Sequence, residues 1–141
     1  NLPVVIHCRK AFEETINILE QLSSDIKRAV FHCFSYSAEQ AKLVLERGFY
    51  ISFTGVVTFK NAETIRDAAR IVPLNKLMLE SDCPYMSPEP MRKQQINEPA
   101  LMIHTARHLA KLKQVDLADF ARVVTATSKE FFKLARDKRG T

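Results

Sequence analysis

The 141-residue sequence predicts an α/β fold in which parallel strands alternate with helices. Four short apolar runs are nearly continuous, which is typical of parallel strands covered on both faces, and helical patterns lie between them. The composition, 46% hydrophobic and 26% charged, is ordinary for a globular chain. This alternation predicts an open doubly wound sheet or a (β/α)8 barrel. Because four units cannot close a barrel and a complete one takes about 250 residues, a barrel would be present here as one half.

The apolar runs predict the strands, and periodic apolar residues predict the first helix. The strands are predicted at residues 4–7, 29–33, 49–53 and 77–80. Phe12, Ile16 and Leu19 recur at the i, i+4, i+7 spacing of one helical face, so a helix should follow the first strand.

Cap and stop residues delimit the next two helices. Ser37 and Gln40 have the spacing of a capping box, and Gly48 follows that helix as a C-terminal cap residue would. Asn61 is predicted to cap a third helix that Pro73 ends.

The last third of the chain is predicted to be a proline-containing loop followed by helices. After the loop at 84–95, one helix has an apolar stripe formed by Met102, Ala106, Leu109 and Leu112. Two shorter helices should follow, one capped by Asp116 and one by Thr127 with Glu130 at the capping-box position.

Three residues of metal-binding types each end an apolar run. His7 and His32 are 25 residues apart, and Asp82 follows His32 by 50, so the spacings are one and two units of the repeat. Ligands of parallel α/β folds bind at the carboxyl ends of the strands, where these three side chains would meet. We therefore predict a functional site there. His104 and His108 form an i, i+4 pair that could chelate a metal, but a solvated helix face is the preferred interpretation.

A cysteine directly follows each of these residues, which leaves a rival interpretation. Because strand side chains alternate, Cys8 and Cys33 should face the helices if the histidines face inward. If the cysteines faced inward instead, the three thiolates, including that of Cys83, could bind zinc. Three widely spaced cysteines without a CxxC motif do not predict disulfides, so we expect a reducing, cytoplasmic setting.

Net charge and hydropathy limit the partners. The formal charge of +5 permits a polyanionic partner without requiring one. No apolar run approaches the roughly 18 residues that cross a bilayer, so no membrane association is expected. Asn1 leads straight into a strand pattern, and we expect it to be an internal start.

Five phrases, taken in order, resemble the TatD family of metal-dependent deoxyribonucleases. They are LPVVIHCR at 2–9, FHCFS at 31–35, YISFTG at 50–55, LESDCPY at 79–85 and NEP at 97–99. The resemblance implies a (β/α)8 TIM barrel of the amidohydrolase type, of which residues 1–141 would be the C-terminal half as a single domain. The four strands would be the fifth to eighth of that barrel.

The resemblance also implies hydrolysis of phosphodiester bonds in DNA with divalent metal ions (Mg, Mn or Zn), two of them in the complete enzyme. Under it, His7, His32 and Asp82 would be metal ligands. Asp82 would in addition accept a proton and orient the attacking water, and Arg9 could hold a phosphate oxygen. Further substrate contacts would come from Tyr85, Asn97 and Glu98, although Asn97 could instead be a helix N-cap.

The sequence departs from the family pattern in ways that bear on activity. The family's His-x-His strand and bridging glutamate would precede Asn1, so we expect the chain alone to be inactive and to need the N-terminal half of the barrel as a partner. Tyr36 stands where glycine is common, and 92–96 lacks the usual basic, glycine-containing run. Alternatives are a related metal hydrolase, such as an aminoacyl-tRNA deacylase, or a non-catalytic fragment or degenerate homologue. Exposed sheet edges predict self-association.

Overall fold

The computed structural model describes residues 2–22 and 24–134, so Asn1 and its predicted internal start lie outside the described residues. Strands and helices alternate in the order β1 Val4–His7, α1 Phe12–Gln21, β2 Ala29–His32, α2 Ala38–Glu46, β3 Tyr50–Phe53, α3 Glu63–Ile71, β4 Leu77–Leu79, α4 Met102–Leu112 and α5 Leu117–Phe131. Short 3₁₀ turns occupy Gly55–Thr58, Leu74–Lys76, Met91–Lys93 and Pro99–Leu101. The predicted α/β class is confirmed.

The strands form one parallel sheet in the order β1-β2-β3-β4. All four strands lie within one residue of their predicted bounds, and His7 is the register partner of His32. Strand neighbours along the chain are therefore neighbours in the sheet, and their carboxyl ends lie along one edge.

The two faces of the sheet have different surroundings. One face packs on the helices through the alternate residues Ala29, Phe31, Ile51, Phe53 and Leu77, which belong to the main core. On the other face, Val30 and Met78 form a smaller cluster with Phe131 of α5. Val5 occupies that second face on β1 and is 53% exposed. His7 and His32 follow in the same alternation, so they belong to this inner face.

Several predicted caps are confirmed. Ser37 and Gln40 form a complete capping box at the start of α2, and Gly48 has φ +76° just beyond its end, a conformation that glycine adopts without strain. The carboxylate of Asp116 accepts a hydrogen bond from the Ala118 amide at 2.7 Å and so caps α5.

Two helix boundaries were predicted wrongly. α5 is one continuous helix through Thr127, whose Oγ1 lies 3.0 Å from the Val123 carbonyl one turn earlier. A threonine can satisfy its hydroxyl in this way inside a helix, so its presence does not require a new start. Asn61 does not cap α3, because the turn continues to Ala62 and that position makes no side-chain cap bond.

The loop between β4 and α4 is fastened to the 3₁₀ turn after β3. Thr58 Oγ1 accepts the Glu89 amide at 2.8 Å, and Arg92 lies 3.3 Å from the ring centre of Phe59. Gly55 touches the same loop so closely that a Cβ there would stand 2.3 Å from the Met86 carbonyl oxygen. These contacts fix the loop that begins beside Asp82. None of the described helices has the length and apolar character needed to cross a membrane.

Candidate metal centre

Two histidines stand side by side at the carboxyl edge of the sheet. The rings of His7 and His32 have centroids 5.8 Å apart and are tilted by 37°. Their proximity follows directly from the parallel pairing of β1 with β2, in which the two residues are partners. The predicted convergence of strand-end side chains is therefore visible for this pair.

His32 lies between two carboxylates. Its Nδ1 is 2.6 Å from Glu80 Oε2, and its Nε2 is 3.6 Å from Asp82 Oδ1. The other Glu80 oxygen accepts the Cys33 amide at 2.6 Å. Sequence reasoning missed Glu80 as a site residue. The signal was present, since Glu80 precedes Asp82 by two positions and strand alternation places such residues on one face.

Sharp backbone turns follow the strands at this edge. Lys10, Cys33 and Asp82 all have positive φ, between 47° and 55°. Non-glycine residues adopt this left-handed conformation infrequently, and such strain clusters at functional sites. At Asp82 the turn accompanies a carboxylate placed beside His32.

The imidazole and carboxylate groups at this edge fit a divalent cation in type and spacing, but the described ones are not arranged to hold one alone. Imidazole and carboxylate suit Zn, Mn or Mg-type ions. Two ligand atoms on one tetrahedral zinc at bond lengths of about 2.0–2.2 Å lie about 3.3–3.6 Å apart, which the separation of His32 Nε2 and Asp82 Oδ1 matches. Among residues 2–22 and 24–134, however, no three His, Cys, Asp or Glu side chains are arranged to hold a metal. His7 stands beside the pair without completing such a set.

The cysteines separate into different environments. Cys8 is buried next to α1, with its Sγ 3.1 Å from the Tyr36 hydroxyl and 3.3 Å from Thr15 Oγ1, as expected. The Cys33 side chain instead meets two loop residues: its Sγ lies 3.4 Å from Thr54 Oγ1 and 3.7 Å from Met86 Sδ. That expectation was wrong because the left-handed turn at Cys33 ends the strand alternation. Burial raises the pKa of the Cys33 thiol, the hydrogen bond with Thr54 opposes this, and the charges of Asp82 and Glu80 add to it.

The predicted substrate-contacting residues differ in accessibility. Arg9 and Glu98 are exposed, and Tyr85 is 70% exposed on the loop after Asp82. Asn97 is only 3% exposed, and its Nδ2 donates to the carbonyls of Ser81 and Tyr85 at 2.7 and 2.6 Å. It is not the N-cap of a helix, because Glu98 precedes the 3₁₀ turn and α4 begins at Met102. Substrate contact by any of these residues stays a prediction.

These features define a parallel βα chain of the barrel class, with histidines and carboxylates at the strand ends where barrels of this class carry their functional groups. The chain belongs to the TatD related DNase family, whose family model matches residues 1–133. The resemblance read from the five phrases is thereby confirmed.

Curated relatives agree with this membership. The chain is 45% identical over 125 residues to "Uncharacterized metal-dependent hydrolase YcfH" of Escherichia coli K12, covering 89% of the chain and 47% of the relative. It is 33% identical over 136 residues to "3'-5' ssDNA/RNA exonuclease TatD" of Escherichia fergusonii, covering 94% of the chain and 52% of the relative. The chain thus spans about half the length of the curated relatives it matches.

Solved structures agree on the fold. YJJV, a TatD homologue from Escherichia coli K12, superposes with a TM-score of 0.85 at 26% identity, covering 94% of this chain and 51% of that one. A TatD family hydrolase from Entamoeba histolytica gives a TM-score of 0.82 at 23% identity, covering 92% and 50%. The four parallel strands and flanking helices are therefore of the TIM-barrel type.

Proposed function

We propose that this chain is part of a divalent-metal-dependent hydrolase that cleaves phosphodiester bonds in DNA, in a cytoplasmic setting. The observation that carries the proposal is the pairing of His32 Nε2 with Asp82 Oδ1 at a ligand–ligand separation, at the carboxyl edge of a parallel sheet. Two relatives support this proposal, since one is named a metal-dependent hydrolase and the other an ssDNA/RNA exonuclease.

His7, His32 and Asp82 are the residues that would hold metal. A bound divalent ion would supply Lewis-acid polarisation and a water of lowered pKa. These three side chains do not converge on one point in the described residues, so neither of two ions would find in them the three ligands typical of a catalytic zinc site. We propose that the rest of the barrel provides the remaining ligands, with two ions in the complete site.

The chain's own residues would orient the reactants. The Asp82 carboxylate can accept a proton from an attacking water and hold its oxygen in line with phosphorus. Arg9 is exposed, follows His7 by two positions and can donate to a phosphate oxygen. The exposed ring of Tyr85 offers a surface on which an unpaired base can stack.

Charge on the loops at the carboxyl edge favours a polyanionic substrate. Exposed cations occupy three of these loops and are Arg9, Lys10, Lys60, Arg92 and Lys93. Cationic side chains that approach phosphates release counterions, and this favours nucleic acid over a neutral ester. The same charges predict that binding weakens as salt concentration rises.

A reconstituted barrel tests the proposal. The chain would be co-folded with the portion of YcfH that it does not match, loaded with Mn²⁺, and assayed on single-stranded DNA, RNA and aminoacyl-tRNA. We expect DNA cleavage that Asp82→Asn lowers at least about 100-fold, the smallest typical contribution of a general base. Asp25→Asn, an exposed change between α1 and β2, should not lower it. Faster turnover of acylated tRNA would identify a deacylase, and binding without turnover a non-catalytic homologue. The chain alone should not cleave DNA.

A further inference from the structure

We propose that Glu80 is a positioning residue: it holds the His32 imidazole in the tautomer with the proton on Nδ1, so that the lone pair of Nε2 faces Asp82. Glu80 lies within the family-like segment LESDCPY at 79–85, but the resemblance to the family gave it no role. This positioning role rests on the proposed function only in treating His32 Nε2 as a metal-binding atom.

The hydrogen-bond geometry assigns the tautomer. An ionised carboxylate only accepts hydrogen bonds, and Glu80 Oε2 lies 2.6 Å from His32 Nδ1, so Nδ1 must donate. A neutral imidazole then has its lone pair on Nε2. That atom is directed to the side of Asp82, whose Oδ1 is 3.6 Å away. The His32 ring therefore lies between Glu80, which accepts its Nδ1 proton, and Asp82, which faces its Nε2 lone pair.

A second bond fixes Glu80 itself. Its Oε1 accepts the Cys33 amide at 2.6 Å, so the two oxygens hold the His32 ring and the peptide that follows it. The Glu80 amide donates to the Phe53 carbonyl at 3.2 Å, which ties its backbone to β3. With both oxygens and the backbone engaged, the carboxylate has little freedom to leave Nδ1.

The reach of the side chain explains why this position needs glutamate. Glu80 follows β4 and His32 ends β2, and β3 lies between them. Strands two places apart are separated by about 9.5 Å, so the bond must span β3. Ser52 of β3 is small and buried, and by alternation it faces the same side as Tyr50 in the inner cluster. An aspartate at position 80 would be too short to bridge this gap.

The chemical consequence concerns metal affinity. A carboxylate on the Nδ1 proton orients a ligating imidazole and raises the basicity of Nε2, and loss of such a partner typically lowers metal affinity about 10- to 100-fold. Glu80 would therefore act through His32 and not by touching the metal or the substrate.

Nitrogen NMR of histidine in the metal-free 141-residue chain tests the tautomer. Spectra of ¹⁵N-histidine-labelled protein, recorded at about pH 8 because ordinary imidazole has a pKa of about 6.5, should show His32 protonated on Nδ1. Glu80→Asp should lose this preference, and Glu80→Gln should move the proton to Nε2, since the introduced amide NH₂ can donate to Nδ1. Glu89→Gln, a change on the following loop at a side chain with no described hydrogen bond, should leave the spectrum unchanged.

The outcomes separate the two proposals. A wild-type His32 protonated on Nε2, or a tautomer unchanged in Glu80→Gln, would overturn the role of Glu80 even if zinc binds. A Zn²⁺ titration followed in the same spectra should require about 10- to 100-fold more zinc in Glu80→Gln than in wild type. If wild-type His32 has the Nδ1 proton and zinc does not perturb it, the positioning role stands and the proposed metal site fails.

Discussion

At the scale of single residues, Asn97 holds the loop that carries Asp82. Its Nδ2 spans the Ser81 and Tyr85 carbonyls, and its own amide donates to the Pro84 carbonyl at 2.9 Å. The residues on both sides of Asp82 are therefore fastened to one buried side chain. The structure gives Asn97 a role in holding this turn.

Asn97→Ala should destabilise the protein and loosen this turn. Two partly buried hydrogen bonds from the buried Asn97 amide would be lost, which costs about 1–3 kcal/mol in the free energy of unfolding. Urea unfolding would measure the loss, and hydrogen exchange of the Tyr85 amide would report on the turn. Gln95→Ala, at an exposed position of the same loop, is the control and should change neither. Equal stability of the two variants would contradict the role of Asn97.

His108 predicts an acid-sensitive stability. Burial lowers the pKa of its imidazole, and the charges of Arg66 and Lys111 lower it further. With a folded pKa below the unfolded value of about 6.5, the unfolded chain binds the proton more readily, so stability falls as pH drops through that value. His108→Gln should reduce this loss between about pH 7.5 and 5.5 in thermal melts. The same dependence of melting temperature on pH in His108→Gln and in wild type would contradict the prediction.

The strand-end residues were predictable, and the contact that joins them was not. His7, His32 and Asp82 each close an apolar run, and parallel pairing brings such ends to one edge. The bond from Glu80 to His32 crosses an intervening strand, so it depends on register and on the small side chain of Ser52. A single sequence shows neither of these.

At the scale of elements, candidate N-cap residues predicted the start of a helix correctly only where the side chain makes the capping hydrogen bond. Ser37 and Asp116 make the bonds that their positions predict. Thr127 has the same chemistry inside a helix, where the Val123 carbonyl satisfies its hydroxyl and packing of Val124 and Phe131 continues the helix. Burial of the apolar face therefore outweighs a local cap preference in α5.

The 3₁₀ turn after β3 packs against the long loop between β4 and α4 at Gly55, and Gly55→Ala tests whether this contact holds the loop in place. The added Cβ would meet backbone atoms of Met86 and Pro88 at 2.3 to 3.1 Å, so the loop must move. We expect a loss of about 1–3 kcal/mol in the free energy of unfolding, together with shifted amide resonances in the loop that follows Asp82.

Gly48→Ala is the matched control. No atom lies within 4 Å of its Cβ position, but φ is +76°. The left-handed backbone costs about 1–2 kcal/mol with a side chain present and displaces nothing near Asp82. If the loop resonances are unshifted in Gly55→Ala, the contact of Gly55 with the Met86 and Pro88 backbone does not hold the loop in place.

At the scale of the whole molecule, the sheet has two edges without a strand partner among the described residues. β1 pairs only with β2, and β4 only with β3. Beside β4, an apolar groove of about 540 Å³ lies between α4 and α5. Its lining includes Leu79, Ile103, Ala106, Ala121 and Val124. Edges and grooves of this kind favour association with another chain or chain segment.

We expect the 141-residue chain to self-associate through these edges. Val5→Lys places a charge on the inner face of the β1 edge and should shift the protein towards monomer in sedimentation velocity. Ile18→Lys on α1, at a position of similar exposure (55% against 53%), should leave the distribution unchanged. A monodisperse wild-type monomer would contradict the prediction.

Paramagnetic broadening by Mn²⁺ tests most directly whether the carboxyl edge holds a divalent cation. In spectra of the ¹⁵N-labelled chain, substoichiometric Mn²⁺ should first broaden the resonances of His32 and its neighbours, because the ion would lie between His32 Nε2 and Asp82 Oδ1. Asp82→Asn should abolish this effect and Asp25→Asn should preserve it. Broadening centred on the exposed acids Glu63 and Asp67 of α3, or broadening at His32 that survives Asp82→Asn, would contradict the proposed site.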